Sequence, residues 1–142
     1  MKYIKTYENI ISRLFPRHKL ANSLVKFLNK IEPSLKCYIK VTEHGINIAS
    51  KKCDKKSGYL ITIEEKKYKR HEFGSDEPCL DIILHHIHDG LEIIFEFLRD
   101  LFHTDHAIAN IDPTYVDSYI EKLTEENYKN FILKIDTKKY NI

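Results

Sequence analysis

The sequence predicts an α+β domain. It comprises two N-terminal helices, a three- to four-stranded antiparallel sheet, a long central helix, and one or two C-terminal helices packed on one sheet face. Three observations carry this reading. Residues Leu35 to Thr42 alternate apolar and polar side chains, the period of a half-buried strand. Pro78 to His106 holds the longest run of apolar residues at helical spacing. Asp112-Pro113 is a helix start, an acceptor side chain followed by a ring that pre-sets helical φ.

Taken in order, Lys2 to Phe15 reads as a short amphipathic helix, with Tyr3, Tyr7, Ile10, Ile11, Leu14 and Phe15 recurring along one side. Pro16 ends it, because proline disfavours helical geometry in the preceding residue. Arg17 to Ile31 is a second helix, with Leu20, Leu24, Phe27, Leu28 and Ile31 inward. In the strand that follows, Leu35, Cys37, Ile39 and Val41 point one way, and Lys36, Tyr38, Lys40 and Thr42 the other. Glu43-His44-Gly45 is a turn, and Ile46 to Ser50 completes a hairpin. After the polar loop Lys51 to Gly58, Tyr59 to Glu65 is a third strand. Lys66 to Phe73 is a solvated fourth, its lysines discouraging edge pairing.

At about 100° per residue, Leu80, Ile83, Leu84, Ile87, Leu91, Ile94, Phe95, Leu98, Leu101 and Phe102 fall within an arc of roughly 120°. A helix from Leu80 to Phe102 would be about 35 Å long. Ile82, His86, Ile93 and Phe97 form a second apolar flank beside it, which a homodimer contact or the C-terminal helices would cover. After a short linker, Val116, Tyr119, Ile120 and Leu123 face inward from the helix begun at Asp112. Thr124 caps another turn or helix carrying Tyr128, Phe131, Ile132 and Ile135, and Thr137 to Ile142 is a loose tail.

A chain of 142 residues is read as one domain, 42% apolar and 31% charged, a globular rather than disordered composition. No stretch reaches the roughly 18 uncharged apolar residues of a membrane span, and Lys2, Lys5 and Glu8 make the start unlike a secretory signal. Cys37, Cys53 and Cys79 are three in number with irregular gaps and no C-x-x-C pair. The reading is therefore reduced thiols in a cytoplasmic protein, with Cys37 a small core residue. Charge is uneven. Met1 to Pro78 holds 17 basic and 9 acidic residues, net +8; Cys79 to Ile142 holds 6 and 12, net −6.

Three constellations offer chemistry. On the outer side of the central helix, Asp89, Glu92, Glu96 and Asp100 form an acidic face, with Ile93 and Phe97 as apolar anchors beside it. Such a face can enter a basic groove built for nucleic acid, and charge complementarity speeds association. Around the sheet, Lys36, Tyr38, Lys40, Lys51, Lys52, Lys55, Lys56, Lys67, Lys69 and Arg70 could track a phosphate backbone and stack bases. Finally, His85, Asp89, Glu92, Glu96 and His103 share one helical stripe and could bind a metal, although H-E-x-x-H is not reproduced. No serine sits in a nucleophile-elbow context, and four glycines form no phosphate-binding loop, so no enzyme and no cofactor are expected.

The order helix, three strands, helix over Arg17 to about Phe102 resembles the double-stranded-RNA-binding domain in topology. That family grips phosphates through lysines opening its second helix. Here the corresponding stretch is Glu77-Pro78-Cys79-Leu80-Asp81, which repels phosphate, so RNA binding is not carried over.

The expected function is a small non-enzymatic protein-binding module, an inhibitor or adaptor that engages a nuclease or other nucleic-acid-handling protein through the acidic helix face. In size and character it is similar to small phage-encoded inhibitors, including anti-CRISPR proteins and toxin-neutralising immunity proteins. Nucleic-acid binding is the first alternative and metal binding the second.

Overall fold

In a computed structural model, residues 16–43, 45–52, 58–69, 76–85 and 90–140 are described. The chain runs α1 (Pro16–Ile31), β1 (Cys37–Thr42), β2 (Gly45–Ser50), β3 (Ile61–Lys69), β4 (Asp76–Leu84), α2 (Glu92–Leu101), β5 (Ile108–Ile111), α3 (Val116–Lys122) and α4 (Glu125–Tyr140). Short 3₁₀ turns at Pro33–Leu35 and Pro113–Tyr115 precede β1 and α3. The α+β class with an antiparallel sheet holds, and its details change. The expected helix over residues 2–15 lies outside the described residues.

The sheet is a five-stranded meander in the order β1-β2-β3-β4-β5, antiparallel throughout. Residues paired across strands share a face, so the register defines two surfaces. Ile39, Ile48, Ile61 and Leu84 make one apolar row; Ile46, Ile63, Ile82 and Ala109 make the next. Every strand residue of the main core cluster lies on this face. There it meets Leu20, Leu24, Phe27 and Leu28 of α1, Ile94, Phe95, Phe97, Leu98 and Leu101 of α2, and Val116 of α3. Cys37 is buried in it, as its place in the alternation requires.

Gly45 shows why the hairpin needs a glycine. Its φ is +153°, and a Cβ there would lie 2.4 Å from the Ile63 carbonyl oxygen, so only hydrogen fits between β2 and β3.

The expected continuous helix from Leu80 to Phe102 is not formed. Its first five residues belong to β4, whose Leu80, Ile82 and Leu84 point into the core at strand period. Pro78 is tolerated there for a specific reason. His85 N–H bonds Leu60 C=O, which fixes the alternation of bonded pairs along β3 and β4. Pro78, opposite Lys67, therefore directs its missing N–H away from β3, and β5 pairs only from Leu80 onward. Gly90, at φ +93°, lies between strand and helix, and its N–H donates to Glu92 Oε2 at 2.9 Å. The helix ends in a Schellman motif. His103 takes the left-handed position at φ 55°, its N–H bonding Asp100 C=O while Thr104 N–H bonds Arg99 C=O.

Three further corrections follow. Lys66 to Lys69 continue β3 instead of forming a separate strand. Ile108–Ile111, expected as linker, is β5, with Ala109 and Ile111 buried and Ile108 and Asn110 exposed. Residues 137–140, expected as a loose tail, are the last turn of α4. The C-terminal start signals behave as read. Asp112 Oδ1 accepts from Thr114 N–H at 2.9 Å, and Thr124 Oγ1 accepts from Asn127 N–H at 3.1 Å. Among the described residues, no helix is long and apolar enough to cross a membrane.

Candidate partner-binding surface

α2 keeps the amphipathic character expected of the longer helix, over ten residues. Its buried side holds Ile94, Phe95, Phe97, Leu98 and Leu101. Its exposed side holds Glu92, Ile93, Glu96 and Asp100, with Arg99 half-buried at one margin. Ile93, 46% exposed, lies at the other margin, next to Asp100 around the helix. Among the described residues, ion pairs join Lys19 to Asp117, Lys30 and Lys129 to Glu125, and Lys66 to Glu64 and Asp81. None of them involves Glu92, Glu96 or Asp100, so this ridge carries charge that no described lysine or arginine neutralises.

Phe97 does not stand beside that ridge as an anchor. It is 4% exposed, with its ring 5.5 Å from Phe27, 5.4 Å from Tyr128 and 5.6 Å from Phe131, centroid to centroid. An aromatic on the α1-facing side of an amphipathic helix gains more from burial than from solvent. The second flank expected for a homodimer is likewise not one surface. Ile82 and Phe97 are core, Ile93 is exposed, and His86 lies outside the described residues, as does Asp89.

A groove of about 550 Å³ begins where the ridge ends. Phe97, Leu101 and Phe131 give it an apolar floor, and Asp100 and His103 line its α2 side. Leu133 on its α4 side is 62% exposed. Sequence reasoning missed this site because it is built by α4 crossing the end of α2. The pairing of Phe97 with Phe131 has no signature in the spacing of either helix.

The metal reading loses its geometry. His85 ends a strand, while Glu92 and Glu96 belong to a helix and His103 follows it, so the shared stripe does not exist. Among the described residues, no three His, Cys, Asp or Glu side chains group in a way that could hold a metal ion.

The other face of the sheet, where Asn47, Thr62 and Asp81 are also buried, is organised by hydrogen bonds. Asn47 Nδ2 donates to Lys40 C=O at 3.2 Å and to Thr42 Oγ1 at 3.0 Å, which leaves Asn47 Oδ1 as an acceptor. The Thr62 hydroxyl, 2.7 Å away, must donate to it. Thr62 Oγ1 therefore accepts from His85, whose Nε2 is 2.8 Å distant and carries the proton. Thr62 thus donates away from the histidine, the wrong direction for a hydroxyl nucleophile activated by a base. Beside this row, Lys66 Nζ lies 3.2 Å from the buried Asp81 carboxylate and 3.4 Å from Glu64, which raise its pKa in that order. Burial, then the charges of Asp81 and Asp112, pushes the Cys79 thiol up, away from reactive thiolate chemistry.

The basic set is dispersed. Lys36 and Lys51 are joined by a backbone bond of 3.4 Å at one end of β1 and β2, and Lys52 Nζ is 3.5 Å from Ser34 Oγ. Lys40 is exposed at the β1 edge of this second face and Tyr38 is half-buried there. Lys67 and Lys69 occupy register positions opposite Pro78 and Asp76 at the far end of β3. Lys55, Lys56 and Arg70 lie outside the described residues. The described centre of this face holds the buried polar residues Asn47, Thr62 and Asp81, not a platform of lysine and tyrosine.

Comparison with known proteins returned no match among protein-family models, curated proteins or solved structures.

Proposed function

We propose that this protein is a small non-enzymatic binding module, an inhibitor or adaptor, that captures a basic surface on a nucleic-acid-handling protein through the α2 ridge. The observation that supports this is Ile93, an exposed β-branched apolar residue bordering three carboxylates that no described lysine or arginine pairs. Apolar contact bordered by charged residues is common anatomy for a transient protein interface. Carboxylates in that rim raise the encounter rate with a cationic partner. Asp100 belongs both to the ridge and to the neighbouring groove, whose apolar floor suits one inserted side chain of the partner.

The test is a Glu92→Lys plus Glu96→Lys double variant, folded with unchanged thermal midpoint. Capture from native lysate is expected to yield a basic protein with the parent chain, released as salt rises, and to lose it with the variant. Equal capture by both chains would overturn the reading.

Nucleic-acid binding is the second reading, supported by the adjacency of Lys36 and Lys51 and by exposed Lys52 and Lys40. It is the weaker one, because Glu64 and Asp81 on the same face pair with Lys66.

A further inference from the structure

The outer edge of β1 is half sealed and half open, and both halves follow from the register. Lys51 N–H bonds Lys36 C=O, and Lys36 and Lys51 continue the register in which Cys37 faces Ser50. In an antiparallel pair, residues that bond the neighbouring strand alternate with residues whose N–H and C=O point away. The Lys36 carbonyl and both groups of Tyr38, Lys40 and Thr42 therefore face β2, while Cys37, Ile39 and Val41 direct theirs outward. The α1 side chain of Asn29 confirms the direction independently. Its Oδ1 accepts from Cys37 N–H at 2.7 Å and its Nδ2 donates to Cys37 C=O at 3.1 Å, as a neighbouring strand would. Beyond Cys37 the imitation stops. Among the described residues, β1 pairs with β2 alone, and nothing meets the outward groups of Ile39 and Val41. The Val41 side chain is 64% exposed.

We propose that this open edge, from Ile39 to Thr42, accepts an extended segment of another protein as an added strand. Two outward N–H and C=O pairs, about 7 Å apart at strand rise, set the register of the guest. Side chains set its composition. A guest residue beside Val41 is apolar. Its neighbours lie on the other face, where Lys36 and Lys40 stand, and are acidic. The guest is thus a strand alternating apolar and carboxylate residues. A second copy of this chain is the poorer fit, since antiparallel self-pairing would gather Lys36 and Lys40 of both copies on one face, which edge lysines oppose.

The probe is a capped heptapeptide alternating glutamate and valine, titrated into the full chain and followed at the Ile39 and Val41 amides by NMR shift and hydrogen exchange. Both amides are expected to shift and gain protection. The same peptide N-methylated on its valines, whose amides would face β1, is expected to leave them unchanged. Val41→Pro removes an N–H that the sheet does not use, and is expected to weaken binding at least tenfold with the fold intact. Lys40→Glu is expected to weaken it several-fold. The proposal is overturned if millimolar peptide moves neither amide, or if the methylated peptide moves them equally. Protection that rises with protein concentration in the absence of peptide would overturn it too, by making a second copy the occupant.

Discussion

His85 is the residue whose chemistry is most closely determined by its neighbours. Because Asn47 spends both amide protons on β1, Thr62 donates to Asn47, and His85 donates to Thr62. Burial holds the His85 pKa below the ordinary histidine value, with the Glu64 charge opposing. The unfolded chain consequently takes up its proton first on acidification. Stability is unaffected well above the ordinary histidine pKa of about 6.5 and falls as pH drops below it, until the folded state also protonates. Urea midpoints are expected to be lower at about pH 5.5 than at about pH 7.5. His85→Gln, which keeps a donor for Thr62, should flatten the slope in part; His18, lowered by burial and then by Arg17, accounts for a further part. A variant slope equal to that of the parent would refute the assignment.

At the scale of elements, α2 contrasts two positions that the spacing alone treated alike. Phe97 is inside and Ile93 outside. Phe97→Ala removes a ring packed against Phe27, Tyr128 and Phe131, and is expected to cost about 3–5 kcal/mol. Ile93→Ala is expected to stay within about 0.5 kcal/mol while weakening partner capture. Urea denaturation of the two variants separates them, and comparable losses would place Ile93 in the core. The same scale explains the reading of β4 as helix. Leu80, Ile82 and Leu84 satisfy a strand period, while Leu80, Ile83 and Leu84 satisfy a helical one, and a short apolar run fits both. Local features lean toward the strand without deciding it: Ile82 and Ile83 are β-branched, and Gly90 interrupts the apolar run.

At the scale of the molecule, one apolar cluster joins α1, the sheet, α2 and α3, and α4 closes it from one side. Tyr128 lies edge-on to Phe27 at 6.1 Å, and Phe131 meets Phe97. A chain ending after Lys122 therefore uncovers both phenylalanines. A lower thermal midpoint and increased binding of an apolar fluorescent dye are expected, with a parent-like midpoint as the refuting result. Where local patterning and chain punctuation were sufficient, the sequence alone determined the outcome. The α1 stripe, the β1–β2 hairpin and the capped starts at Asp112 and Thr124 are each decided within a few residues, by side-chain period, glycine geometry and hydrogen bonds to nearby backbone. Only the tertiary structure decided the rest. Whether 80–84 pairs or coils, which phenylalanine is buried, and where the groove and open edge lie depend on neighbours distant in the chain. Burial and strand pairing are energies between segments, and the period of one segment does not contain them.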